Sequence, residues 1–273
     1  MSSKEIMCAD FMKQMLDIIE QSYQHGWDER NGGNISYLLT QEELEPYLDI
    51  TKVVSTFSLS ICVKELANKY FLVTGSGKYF RNIKGNPCDG LGIIRIAKNG
   101  KQAELIWGFE NGALPTSELP SHLLSHISRL SVDKKHRVIL HNHASHLLAM
   151  TFTHELDERA FTRTLWKMCT ECLVVFPEGV SIIPWLVPGT NEIGEATADK
   201  MKDTRMVLWP YHGVYVAGNC LDEAFGLVET AEKAAQIYTY VQAQGGIKQA
   251  ISDQQFKQLA ERFSVIPRKD YLD

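Results

Sequence analysis

In Val138-Ile139-Leu140-His141-Asn142-His143, three aliphatic residues run without a break into two histidines one position apart. Branched Val and Ile favour extended backbone, and in a strand residues i and i+2 face the same way. A strand over 137–143 therefore sets the His141 and His143 imidazoles side by side on a buried, rigid support. Two such rings can chelate one ion at ~2.0–2.1 Å each. A His-x-His pair alone is common, and on that evidence a chance pair is the commoner case. A third histidine shifts the balance. In Leu208-Trp209-Pro210-Tyr211-His212-Gly213 a histidine again follows an apolar strand directly, and Gly213 allows close backbone approach. Three protein ligands and an open position are the usual arrangement of catalytic zinc, although cobalt or iron suit the same set.

Outward from these two strands, apolar periodicity predicts helices over 4–25, 118–130, 157–169, 191–201, 221–244 and 252–263. Strands are expected over 34–39, 70–74, 173–176, 180–185, 207–209 and 213–216. A hairpin is expected over 92–107, turned by Asn99-Gly100 with positive φ. The stretch 40–66 reads as loops with one short helix. Strands arrive both as hairpins and between helices. That pattern argues for an α/β fold of three layers, a central mostly antiparallel sheet flanked by helices, over a strict βαβ array.

The bulk properties bound the function. The chain has 273 residues, 44% hydrophobic and 22% charged, with a formal charge of −5 and a pI near 6.0. No basic face is implied, so nucleic acid and anionic membrane are not expected partners. No stretch approaches the ~18 apolar residues of a membrane span, and the N-terminus has no signal-peptide core, so a cytoplasmic location is expected. No repeat or linker divides the sequence, and a single domain over 1–273 is the simpler reading. Six cysteines make no dense disulfide framework. The lone Cys169-Thr170-Glu171-Cys172 reads as helix-end cysteines. His122, His126, His136 and His154 read as ordinary helix or loop residues. His25 suits a helix C-terminus, and His146 is left out of the metal set.

Three further segments can hold an anion. Arg30-Asn31-Gly32-Gly33-Asn34 leads into a strand, and Thr74-Gly75-Ser76-Gly77 leaves one. Pro115-Thr116-Ser117-Glu118-Leu119-Pro120 opens the helix before the histidine strand, with Ser117 as its N-cap and Glu118 in its first turn. Glycines let backbone amides converge, and a helix N-terminus offers free N–H groups. Singly, each reads as a tight turn, and Glu118 as a carboxylate complementing the helix dipole. Gly75-Ser76-Gly77-Lys78 is no Walker A loop, since Leu72 stands where its first glycine belongs. Three such loops beside a metal site suggest a small phosphorylated substrate.

Seven segments then fall into a known order. They are 26–34, 73–78, 115–120, 141–144, 170–177, 184–190 and 208–214, and together they resemble the class II aldolase and adducin head family over nearly the whole chain. The stretch 40–68 and the tail after 263 match poorly. The resemblance implies zinc, one ion per subunit, held by His141, His143 and His212, with Glu118 as catalytic acid/base. It implies a phosphate site from Gly33, Asn34, Ser76, Gly77, Thr116 and Ser117, with Asn31 close by. It also implies a four-fold symmetric homotetramer with sites between subunits, where Glu171 is a second catalytic carboxylate reaching a neighbour's site. The implied reaction is zinc-dependent retro-aldol cleavage of L-rhamnulose 1-phosphate to dihydroxyacetone phosphate and L-lactaldehyde. No lysine is placed for a Schiff base. Glu118 would move the proton at C3, and burial must raise its pKa for that task against the opposing charge of the metal. Glu171 or a tyrosine is left as proton donor to the departing alkoxide. Another sugar-phosphate aldolase, a 4-epimerase or dehydratase of the same architecture, and a non-catalytic adducin-like scaffold are the competing expectations.

Overall fold

A computed structural model describes residues 5–272. Its strands are β1 (Asn34–Leu39), β2 (Ser55–Ser58), β3 (Tyr70–Thr74), β4 (Leu91–Ile96), β5 (Gln102–Gly108), β6 (Val138–Asn142), β7 (Ser181–Ile182), β8 (Met206–Trp209) and β9 (Gly213–Gly218). They form one sheet in the order β2-β5-β4-β3-β1-β6-β9-β8-β7. Only β7 and β8 run parallel among these pairs. The largely antiparallel sheet with helices on its faces is as the sequence predicts.

Helices cover both faces of the sheet, which is why the central strands are buried along their whole length. Leu72, Val138, Leu140, Val214 and Val216 point to one face, where they pack with residues of the helices Asp10–Gln24, Ser145–Thr153, Glu158–Met168 and Leu221–Ala243. Phe71, Val73 and Ile94 point to the other and meet Leu119 and Leu123 of the helix Leu119–Val132. On that same side Ile139, Val207 and Tyr215 pack against Ile193 and Met201 at the helix Asn191–Lys200. Because side chains alternate along a strand, Asn34 and Ser36 share this second face, as do His141 and Tyr215. The antiparallel registers bring the start of β1, the ends of β3 and β6 and the start of β9 to one edge of the sheet. Asn34 there lies opposite His141, and His141 opposite Tyr215.

Several local expectations are corrected. The first helix begins at Asp10, after a short 3-10 turn at Ile6–Cys8. Residue 4, where it was expected to start, lies outside the described residues. Residues 40–66 hold an edge strand, β2, besides the short helix Gln41–Leu44. Ser55-Thr56-Phe57-Ser58 has one partly buried aromatic and no apolar alternation, so nothing local announces it. The expected strand at 173–176 is instead the helix Glu171–Val175, which buries Cys172 and Leu173. A four-residue apolar run fits either state, and here its first three residues continue the short helix opened at Glu171. The expected strand at 180–185 shrinks to β7, two residues long. The helix Ser145–Thr153 has no counterpart in the sequence reading. In the hairpin only Gly100 takes positive φ, at 67°.

Candidate active site

His141 is the last residue but one of β6, and His143 lies one residue past the strand, where its backbone N–H donates to the Trp27 carbonyl at 2.9 Å. His212 sits in the turn between β8 and β9. The three ring centroids form a near-equilateral triangle of 5.2, 5.0 and 4.9 Å. One ring nitrogen from each lies within 4.8 Å of the others. Gly213 makes this closeness feasible. A Cβ there would stand 2.3 Å from the Asn142 carbonyl oxygen and 3.0 Å from His141 Cε1.

The free nitrogens fit a cation. His141 donates from Nδ1 to the Val214 carbonyl at 3.0 Å. That bond selects the tautomer with a lone pair on Nε2, and His141 Nε2 is buried without any hydrogen-bond partner. His143 donates from Nδ1 to the Glu29 carboxylate at 2.9 Å, which frees its Nε2 in the same way. The His212 Nδ1 is likewise buried and unpartnered. Burial, reinforced by the neighbouring rings, holds His141 well below the usual histidine range and His212 at about 4. The His141 and His212 imidazoles are thus neutral near neutral pH, and each of the three rings offers one nitrogen to a divalent first-row ion. Carboxylate and carbonyl partners on the far nitrogens are the usual means of orienting metal-binding histidines.

Glu118 lies beside this triangle. It occupies the N-cap position of the helix Leu119–Val132 and makes no side-chain cap bond. Ser117, expected as the cap, stands one residue earlier. The Glu118 carboxylate turns inward, where Oε2 accepts from Tyr215 Oη–H at 2.7 Å and from Asn34 Nδ2–H at 2.9 Å. Oε2 is 3.7 Å from His141 Nε2. Burial raises the Glu118 pKa, against the lowering effect of Tyr215, Asn34 and His143. A carboxyl that merely complemented the helix dipole would lie in solvent. Tyr215, fully buried beside this carboxyl, is pushed well above its ordinary value by burial and by Glu118.

A cavity of about 190 Å³ opens over these groups. Its lining includes Asn31, Gly33, Asn34, Ser76, Gly77, Thr116, Ser117, Glu118, His141, His143 and His212. Every site residue expected from the sequence is therefore brought to one place, except Glu171. That residue is on the short helix Glu171–Val175, outside this cavity, and accepts from the Cys169 thiol at 2.9 Å. Two of the three loops expected to hold an anion are tied together. Gly75 bridges Pro115, Ser76 N–H donates to the Leu114 carbonyl at 2.8 Å, and Thr116 N–H to the Thr74 carbonyl at 2.9 Å. The third loop rests on a buried acid, Asp28, held by a bond from the Ser22 hydroxyl.

The sequence reading missed five contributors. Tyr215 and Glu29 touch Glu118 and His143 directly. His122 and His126, taken there as ordinary helix residues, are fully buried with Ser36 under the cavity floor. Their signal was present, since 118, 122 and 126 recur at four-residue spacing on one helix face and 34 and 36 share one strand face.

The chain belongs to the Class II Aldolase and Adducin N-terminal domain family, whose model matches residues 13–239. The likeness read from the seven segments is thereby borne out. Among individual relatives, rhamnulose-1-phosphate aldolase of Listeria monocytogenes is 61% identical over 271 residues, covering 99% of each chain. The protein of that name from Enterococcus faecalis is 60% identical, covering 98% of this chain and 96% of its own. Among solved structures, a sugar-phosphate aldolase from Thermotoga maritima matches with a TM-score of 0.75 at 28% identity, covering 86% of this chain and 96% of that one. An L-fuculose 1-phosphate aldolase, at 21% identity and a TM-score of 0.62, shares the fold.

Proposed function

We propose that this chain catalyses the reversible retro-aldol cleavage of L-rhamnulose 1-phosphate to dihydroxyacetone phosphate and L-lactaldehyde, with zinc held by His141, His143 and His212. The observation that carries the reading is the convergence of three imidazoles, each offering one nitrogen, beside a buried carboxyl in a cavity rimmed by glycine loops. The full-length relatives of that name support the choice of substrate.

Cleavage breaks the C3–C4 bond and leaves an electron pair at C3, next to the C2 carbonyl. His141, His143 and His212 would hold a divalent ion, which would supply Lewis acidity at the ketose oxygens. Glu118 carries the proton to and from C3. Its raised pKa suits both directions, because a base poised nearer neutral pH gives the proton back readily. Tyr215 and Asn34 hold Oε2, which leaves Oε1 for the substrate. The phosphate lies against Ser76, Gly77, Thr116 and Ser117 at the helix N-terminus, with Asn31 and Gly33 from the opposite loop. Helix-end N–H groups and hydroxyls bind the anion there, and this remote contact orients the reacting carbons. Asn34 contributes less to the anion than expected, since its carbonyl oxygen and one amide proton are already taken.

Glu171 lies away from its own chain's cavity, which fits a role in a neighbour's site within a homotetramer, where it would take the C4 hydroxyl proton as cleavage forms the aldehyde and return it to that oxygen in the aldol direction. A single domain over 1–273 and a cytoplasmic location complete the proposal. The test is an aldol assay with dihydroxyacetone phosphate and L-lactaldehyde, before and after chelation. We expect L-rhamnulose 1-phosphate as product, loss of turnover in chelator and recovery with zinc. Full turnover in a chelated, metal-free preparation would overturn the metal role, and a different ketose 1-phosphate as sole product would overturn the substrate.

A further inference from the structure

Beneath Glu118 lies a run of buried polar side chains of which the proposed chemistry uses only Asn34. His126 Nε2 is 2.8 Å from Ser36 Oγ, and Ser36 Oγ is 2.7 Å from His122 Nδ1. His122 Nε2 bonds Asn34 Oδ1, and Asn34 Nδ2 bonds Glu118 Oε2 at 2.9 Å. His122, His126 and Ser36 are 0%, 0% and 1% exposed. Water therefore does not complete these bonds, and the donors and acceptors must match among themselves.

Only one polarity matches a Glu118 carboxylate. The carboxylate accepts, so Asn34 must turn its Nδ2–H toward it and its Oδ1 away. Asn34 Oδ1 then needs a donor, which fixes His122 as the Nε2–H tautomer with a lone pair on Nδ1. The Ser36 hydroxyl donates to that lone pair and accepts from His126 Nε2–H. Burial keeps both rings neutral, His126 at about 3 and His122 well below the ordinary value, so neither adds a second proton to the run. An Asn34 amide turned the other way would set its oxygen against the carboxylate oxygen.

We propose that His122, braced by Ser36 and His126, is a positioning residue that fixes the Asn34 amide and through it the Glu118 carboxyl. This rests on the reading of Glu118 as the group that moves the C3 proton. Side-chain packing alone would be satisfied by an aromatic ring without nitrogen. The hydrogen-bonded run costs buried polar surface, and what it returns is one orientation of one amide.

The test compares His122→Phe, which fills the space without a donor, with His122→Gln, whose amide offers an N–H near the place of Nε2. Steady-state aldol cleavage and C3 proton exchange on dihydroxyacetone phosphate alone, followed by loss of the NMR signal in deuterated water, are measured on metal-loaded protein. We expect H122F to lower kcat and the exchange rate ~10- to 100-fold with KM nearly unchanged, as a displaced reacting group does. H122Q should recover most of the loss. In the Glu118→Gln background H122F should cost nothing further, since it acts through Glu118. Full activity in H122F, equal loss in both variants, a change confined to KM, or an undiminished further loss in the Glu118→Gln background would each overturn the proposal. Should H122F not fold, Ser36→Ala is the second variant, with an expected ~3- to 10-fold loss in kcat from one weakened hydrogen bond; unchanged kcat there would count against the proposal. Absent exchange in the unmutated protein would strike at the proposed function instead, and exchange that persists equally in H122F strikes at this inference alone.

Discussion

Replacing Asp28 by asparagine should stabilise the protein, and by more as the pH rises. Asp28 is 1% exposed, and its Oδ1 is buried with no hydrogen-bond partner. Gly33, at φ 73°, folds directly over it, and a Cβ at that position would fall 1.6 Å from Oδ1. The acid is thus sealed under the loop that carries Asn31 and Gly33. Burial raises its pKa from 3.8 to about 8, with Glu29 adding and the Ser22 hydroxyl opposing. The sign follows from linkage. Between those two values the folded state keeps a proton that the unfolded chain has released, so stability falls as pH rises through that window and levels off above it. At ~1.4 kcal/mol per pH unit the ceiling is ~6 kcal/mol, and measured costs of poorly paired buried polar groups are nearer ~1–3 kcal/mol. Asparagine keeps the shape without the charge. In chelator, which removes the pH dependence of metal binding, the variant should melt ~2–6 °C above the parent at pH 8, at ~2 °C per kcal/mol. The gap should narrow toward pH 5. Scanning calorimetry from pH 5 to 9 measures it. A gap that does not change with pH, or a variant that melts lower at pH 8, would refute the assignment of a sealed acid.

Glu118→Gln keeps the acceptor for Tyr215 and Asn34 but cannot carry a proton; we expect kcat to fall ~10²- to 10⁴-fold with metal content unchanged by plasma emission, and near-native turnover would remove Glu118 from the mechanism. Gly213→Ala forces a methyl toward the Asn142 carbonyl and the rings of His141 and His143. Zinc affinity, titrated against a chromophoric chelator, should drop at least ~10-fold, and a native affinity would show that the turn relaxes without disturbing the rings.

The helix Ser145–Thr153 illustrates why some elements escaped the sequence. Its N-cap, Ala144, provides no side-chain bond. The free N–H groups of His146 and Leu147 are instead taken by Glu232, 2.9 and 2.8 Å away and more than eighty residues along the chain. A start signal supplied from another helix leaves no trace in the local sequence. The strand-like run Leu173–Phe176 failed for a related reason: four apolar residues fit either state until the neighbouring helix ends are placed.

The sequence by itself determined what depends on short spacing. Short unbroken apolar runs located β1, β3 and β6 within a residue or so, and the i, i+2 rule placed His141 beside His143. Glycine-rich turns at strand ends announced the loops that line the cavity. Tertiary structure alone decided what depends on register and burial. Antiparallel pairing, not proximity in the chain, sets Tyr215 opposite His141 and within reach of Glu118. Packing of the helix Leu119–Val132 onto the sheet turns His122 and His126, ordinary helix residues in the sequence, into buried groups beneath Glu118. A polar side chain looks the same in sequence whether water or Ser36 satisfies it; only the closure of the helix onto the sheet excludes the water and makes the partner matter.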